Sequence, residues 1–151
     1  VRESVHLLKY DNLRCLAKPL AGELAAYLDK NPLPADIIMP VPLHPKKLRE
    51  RGYNQSELVA RELGSVLGLQ VDSCSLKRII NTRPQVRLEK AAARRENVDR
   101  AFHCPGKAAS GRKVLVIDDV ATTGATMNSC ALSLIKGGAS SVWGLTIARE
   151  T

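Results

Sequence analysis

Residues 114–126 read VLVIDDVATTGAT. Four apolar residues, Val114 to Ile117, run into two adjacent aspartates, Asp118 and Asp119, and then into a stretch with very short side chains. An apolar run without polar alternation is the pattern of a strand covered on both faces, the habit of parallel sheets flanked by helices. In such sheets ligands gather beyond the carboxyl ends of the strands, which is where the acid pair falls. Two neighbouring carboxylates at the end of a buried strand cost desolvation energy unless they bond to something, and sugar hydroxyls or a hydrated metal ion would serve. The small residues suit a different ligand. A Thr/Gly/Ala turn lets backbone N–H groups come close to an anion, and the helix expected over 124–136 adds roughly half a positive charge at its amino end. The hydroxyls of Thr122, Thr123 and Thr126 can donate to the same oxygens. One segment therefore offers a phosphate site at one end and a site for vicinal hydroxyls at the other, which describes a ribose 5-phosphate. A Walker reading fails for want of GxxxxGK[ST], and no GxGxxG offers a dinucleotide turn.

Working outward, residues 13–28 place Leu16, Leu20, Leu24 and Leu28 on one helical stripe, with Pro19 as a break or a helix start, and residues 1–10 carry a similar spacing. Together 1–34 should form a helical cover. Residues 36–42, DIIMPVP, read as a short buried strand with prolines at its exit. The basic stretch LHPKKLRERGY follows and reads as a loop. From Asn54 the spacing predicts a helix, with Asn54 and Glu57 resembling a capping box, Val59, Leu63, Val66 and Leu67 on the inner face and Gly68 as the stop. Residues 75–80 read as a strand, and 81–104 as a long, arginine-rich, weakly periodic connection of the kind that is functional or mobile. After the strand at 113–120 comes the helix with Met127, Cys130, Ala131, Leu134 and Ile135 inward, then Gly137 and Gly138, then a last strand over 141–148. Strands alternating with helices predict an α/β fold with a mostly parallel central sheet and helices on both faces.

The chain has 151 residues, 44% of them hydrophobic, which suits one domain spanning 1–151. No apolar run is long enough to span a bilayer and no secretory leader is visible, so a cytoplasmic protein is expected. Cys15, Cys74, Cys104 and Cys130 are far apart and form no zinc-ligand spacing, which predicts reduced, mostly buried thiols. The formal charge is +8. Its carriers cluster at Lys46, Lys47, Arg49 and Arg51, and again at Arg83, Arg87, Lys90, Arg94, Arg95 and Arg100. Such clusters are either a solvated basic face or an anion site for phosphates or nucleic acid. His44 and His103 are lone histidines, more often structural than acid/base groups.

The stretch VLVIDDVATTGAT resembles the signature of the type I phosphoribosyltransferases, which bind phosphoribosyl pyrophosphate (PRPP). Two further stretches, PVPLHPKKLRERGYNQ and TRPQVRLEKAAARRENVDRAF, together with the signature, resemble the ComF-type competence family, relatives of the amidophosphoribosyltransferases. That family usually carries an amino-terminal zinc-binding segment with cysteine pairs, absent from this chain. The resemblance implies that Asp118 and Asp119 face the ribose hydroxyls while Val120, Ala121, Thr122, Thr123, Gly124, Ala125 and Thr126 wrap the 5-phosphate. It implies that the diphosphate is held after the 36–42 strand by Leu43, His44, Lys46, Lys47 and Arg51. The flexible loop that closes over PRPP would be 81–102, with Arg83 and Arg87. Asp118, Asp119 and Arg83 are the implied catalytic groups, and Mg²⁺ the implied cofactor, bound through PRPP and possibly bridged by water to the two acids rather than ligated directly.

The reaction so implied displaces pyrophosphate from the anomeric carbon by a nitrogen nucleophile. PRPP or a nucleoside monophosphate is the expected ligand, and a purine or pyrimidine salvage transferase is an alternative within the same chemistry. From a different class comes a non-catalytic competence protein that binds single-stranded DNA during uptake, since a +8 chain would hold a phosphate backbone by charge. A homodimer and contacts with competence-machinery proteins are further expectations.

Overall fold

The structure is a computed structural model, and it describes residues 14–80 and 101–149. A 3-10 turn at Arg14–Leu16 leads into helix α1 (Ala17–Lys30). The expected Leu20, Leu24 and Leu28 stripe faces inward with Ala17 and Ala21. Pro19 lies in the first turn of α1, where a missing N–H breaks no helical bond, so it starts the helix rather than dividing it. The expected helix over residues 1–10 lies outside the described residues.

Strand β1 (Ile37–Pro40) is buried at every position. The basic stretch after it, expected to be a loop, is instead helix α2 (Pro45–Arg51). Pro45 is its first residue, where proline favours a start, the His44 side chain caps it, and Gly52 closes it at φ 82°. Helix α3 (Gln55–Leu67) is capped by Asn54 as expected and ends on Gly68 at φ 68°. Two details differ. Glu57 turns away from the cap to pair with Arg61 at 2.7 Å, and Val66 is 63% exposed while Ala60 and Gly64 take inner positions.

Strand β2 (Gln70–Val71) follows, a strand of two residues that is too short to show a sequence period. The expected strand over 75–80 shrinks to β3 (Lys77–Arg78), which does not join the main sheet. It pairs antiparallel with β4 (Phe102–His103), a strand that the sequence reading placed in the basic connection. Residues 81–100 of that connection, Arg83 and Arg87 among them, lie outside the described residues. Strand β5 (Lys113–Ala121), helix α4 (Ala125–Lys136) and strand β6 (Ser141–Arg149) complete the chain order as expected. Ile135 of α4, expected inward, is 50% exposed, and Ser129 and Ser133 share the buried side with Cys130 and Leu134.

The main sheet runs β2-β1-β5-β6 and every pairing in it is parallel. Alternation along the strands sorts the core into two halves. Ile37, Met39, Val114 and Val116 pack with Leu76, Phe102, Cys130 and Leu134, on the side of α4 and the β3–β4 pair. Ile38, Leu115 and Ile117 pack with Leu20, Leu24, Val59 and Leu63, on the side of α1 and α3. Cys104 and Cys130 are buried thiols; Cys15 and Cys74 are exposed, so only half of the cysteines match the buried expectation. Among the described residues no helix is long and apolar enough to cross a membrane.

This order locates the site. From β1 the chain moves to β2 on one side, and from β5 it moves to β6 on the other, so the two connections leave the parallel central strands in opposite directions across the sheet. Such a switch point opens a crevice at the carboxyl ends of the strands that flank it. Asp118 and Asp119 of β5 and the exit loop of β1 border that crevice.

Candidate functional site

β5 carries its apolar run to Ile117 and then delivers the acid pair still largely buried, Asp118 8% exposed and Asp119 4%. Each aspartate first satisfies its own strand. Asp118 Oδ1 accepts from the Asp119 N–H at 2.9 Å, and Asp119 Oδ1 accepts from the Val120 N–H at 2.7 Å. Successive side chains leave opposite faces of a strand, and the partners of the two acids differ accordingly. Asp119 Oδ2 accepts from Gln55 Nε2 at 2.7 Å, at the start of α3. Asp118 receives a longer bond of 3.4 Å from Ser56 Oγ and has Arg78 and Cys130 as electrostatic neighbours.

Beyond the acids, residues 122–124 turn the chain into α4. Gly124 sits at φ 76° at the cap, a left-handed conformation that glycine adopts without steric cost. Thr123 Oγ1 accepts from the Ala125 N–H at 3.4 Å, and the Asn128 N–H bonds to the Gly124 carbonyl at 2.9 Å to close the first turn. The amino-terminal amides of a helix have no partner further back in that helix, and they carry its positive end. Asp118 and residues 120–127 line an open depression of about 240 Å³, solvent space included. Every residue expected to wrap a phosphate, Val120 to Thr126, lies on that lining, together with Asp118. Asp119 does not; its carboxylate is turned towards Gln55.

The other arm begins where β1 ends. Asn54 Nδ2 donates to the Val41 carbonyl at 2.9 Å, while its Oδ1 accepts from the Ser56 N–H at 3.1 Å, so one side chain caps α3 and ties down the β1 exit loop. His44 Nδ1 accepts from the Lys46 N–H at 3.2 Å, which engages one ring nitrogen in capping α2. Arg51, at the end of α2, donates through Nη1 to Gln55 Oε1. Arg14 lies over the ring of Tyr53, 4.8 Å from its centroid, beside the same corner. Leu43, His44, Lys46 and Lys47 thus flank the β1 exit on and before the short helix α2, with Arg51 at its far end reaching inward.

Three consecutive side chains that the sequence reading left out of the site, Asn54, Gln55 and Ser56, hold it together. All are buried, at 7%, 4% and 2% exposure, and each bonds a different part: the β1 exit, Asp119 with Arg51, and Asp118. Their signal in the sequence is three polar residues at the start of a helix, which also describes an ordinary cap. Arg78 is a second addition. Its guanidinium lies 5.3 Å from the Phe102 ring centroid, and burial draws its pKa down from the usual arginine range while Asp118 acts the other way. Burial pushes the Cys130 thiol far above its ordinary range, so it stays protonated and serves as core.

The donor set bears on metal binding. Among the described residues no group of three or more histidines, cysteines or acids could hold an ion. Two hard carboxylates alone suit an ion whose ligands come mostly from phosphate, sugar and water oxygens, the habit of Mg²⁺.

A parallel sheet with an acid pair and a phosphate-type turn at its switch point is the arrangement of the type I phosphoribosyltransferases, and comparison with solved structures agrees on the fold. The chain superposes on the glutamine PRPP amidotransferase of B. subtilis with a TM-score of 0.59 at 18% identity, over 87% of this chain and 26% of that one. It superposes on the purine phosphoribosyltransferase of Pyrococcus horikoshii with a TM-score of 0.52 at 18% identity, over 87% and 70%. By sequence the chain is a homologue of the DNA utilization protein YhgH and of the competence proteins F and ComFC. It is 35% identical over 144 residues to the DNA utilization protein YhgH of Salmonella typhi, covering 91% of this chain and 62% of that protein. It is 36% identical over 117 residues to competence protein F of Haemophilus influenzae, covering 75% and 51%. The chain therefore spans only about half to three fifths of these relatives. No family model matches it.

Proposed function

We propose that this chain binds PRPP, and that it transfers the phosphoribosyl group to a nitrogen acceptor. The observation that carries this reading is the open depression in which Asp118 and the whole Val120–Thr126 turn share one wall, with Gly124 left-handed at the start of α4. The turn amides and the threonine hydroxyls hold the 5-phosphate. Asp118, with Asp119 beside it, accepts from the ribose hydroxyls and favours positive charge developing on the sugar ring. Leu43 and His44 amides, with Lys46, Lys47 and Arg51, take the diphosphate, for which the planar guanidinium is well shaped. Arg83 and Arg87, which lie outside the described residues, would supply further positive charge for the leaving diphosphate. Asp118 and Asp119 would hold Mg²⁺ through water, and the ion would supply charge neutralisation for the diphosphate. The chain itself contributes position and charge rather than a covalent bond.

Calorimetry with PRPP and Mg²⁺ tests this. The wild-type chain should bind, and Asp118→Asn combined with Asp119→Asn should weaken binding by about tenfold or more, a loss of about 1.4 kcal/mol or more. Absence of heat with the wild type removes the PRPP site. Equal binding by both proteins removes the role given to the acids.

A second reading is favoured by the +8 charge and by the names of the relatives, a DNA utilization protein and a competence protein. In it the chain holds single-stranded DNA by charge in the setting of DNA uptake, with or without transferase chemistry. Pyrophosphate release over a panel of bases and amines, with single-stranded DNA in a parallel arm, separates the two.

A further inference from the structure

We infer that Gln55 is a positioning residue that couples the two ends of the site, so that an anion at the α2 arm and a sugar at the β5 arm strengthen each other's binding. This deepens the PRPP reading above and rests on it.

The observation is a directional chain of hydrogen bonds. Arg51 Nη1 donates to Gln55 Oε1, and Gln55 Nε2 donates to Asp119 Oδ2 at 2.7 Å. The amide therefore has its acceptor end towards a cation and its donor end towards an anion, and turning it over would confront donor with donor and acceptor with acceptor. Gln55 is 4% exposed, so water competes little for these bonds. The bonds tie two consecutive helices to a strand far along the sequence: Arg51 ends α2, Gln55 opens α3, and Asp119 of β5 lies 64 positions further on. Asn54 and Ser56 anchor the turn on either side of Gln55, so the amide has little room to follow a partner that moves.

Two consequences follow from elementary electrostatics. A diphosphate that draws on Arg51 changes how strongly the guanidinium polarises the amide, and this is felt at the Asp119 carboxylate through one rigid group. A sugar hydroxyl bonded to Asp119 acts in the opposite direction along the same path. Coupling between two ligands is reciprocal, so each must change the other's affinity by the same factor. Neither effect requires a moving domain.

The experiment uses magnesium pyrophosphate and ribose 5-phosphate as separate probes on the wild-type chain and on Gln55→Met, which keeps the length and removes both bonds. In the wild type, saturating pyrophosphate should tighten ribose 5-phosphate by about fivefold or more, and the reverse titration should give the same factor. In Gln55→Met each probe should still bind, with the factor falling to about one. A ligand-free measurement accompanies this: urea midpoints for Arg51→Met, Asp119→Asn and their combination should be non-additive with Gln55 present and additive in the Gln55→Met background. Probes that bind the wild type independently of each other overturn the inference and leave the PRPP reading standing. Probes that do not bind the wild type at all overturn both. Non-additivity that persists without Gln55 shows that the path runs elsewhere, and this also overturns it.

Discussion

At the scale of single residues, the structure gives some small side chains a sharper meaning than composition does. Gly64 lies in the last turns of α3, where alanine would normally favour a helix by about 1 kcal/mol. Here an added Cβ would stand 2.4 Å from Val71 Cγ2 and 2.9 Å from the Leu69 carbonyl oxygen. Gly64→Ala should therefore destabilise the chain, by about 1–3 kcal/mol in urea unfolding, and reverse the sign of the intrinsic preference. Adding Val71→Ala should recover only part of that, because the backbone oxygen stays in place. The acid pair Asp118 and Asp119 was legible in the sequence because the apolar run marks a strand end and the turn residues follow directly. Gln55 was not. Its value comes from a partner 64 positions away, and no local pattern distinguishes a glutamine that bridges two charges from one that opens a helix.

At the scale of elements, the turn between β2 and β3 is built on one carboxylate. Asp72 Oδ1 accepts from the Cys74 and Ser75 N–H groups at 2.9 Å each, and Oδ2 accepts from Ser75 Oγ at 2.6 Å. Burial opposes ionisation of Asp72, but the bonds from Ser75 and Cys74 prevail and hold its pKa below the usual 3.8. A carboxylate whose folded pKa is depressed adds stability above its unfolded pKa and loses it as pH falls through the folded value. Asp72→Asn should thus cost about 1 kcal/mol at neutral pH, and thermal unfolding should show the gap to the wild type closing below about pH 4. The elements that sequence reading missed share a physical cause. In α2 the proline at the first position and the closing glycine both resemble loop punctuation, whereas His44 and Gly52 show them to be helix boundaries. β2 and β4 have two residues each, fewer than one period of alternation needs to become visible. α1, α3, β5 and α4 run for 9 residues or more and were placed to within a few positions.

At the scale of the whole molecule, the parallel α/β architecture was readable because Ile37, Ile38, Met39 and the Val114–Ile117 run are apolar on both faces, which only a doubly covered sheet rewards. What was not readable is which aromatics remain available. Tyr53 and Phe102 are buried at 7% and 6%, and both lie against arginines, whereas Tyr27 and Trp143 are open to solvent. With two of five aromatics so committed, few platforms remain for stacking bases, and any hold on single-stranded DNA must come from the +8 charge. Oligonucleotide affinity should accordingly fall by about tenfold or more between about 50 and 200 mM salt, measured by fluorescence anisotropy. Affinity unchanged over that range would count against charge as its source.

The seam between β1 and β5 has one more consequence. Asp36 meets Lys113 across a gap of 77 positions, whereas β1 reaches β2 through α2 and α3 and β5 reaches β6 through α4 alone, both over much shorter stretches of chain. Each half can gain its own contacts early, but the crevice exists only once the two have met, since non-local closure is the slow entropic step. Ligand recognition should therefore be the last property to emerge during refolding and the first to vanish under mild denaturant, ahead of any loss of helical circular dichroism. A purified sample can look well folded by that optical signal and still be deaf to its ligand.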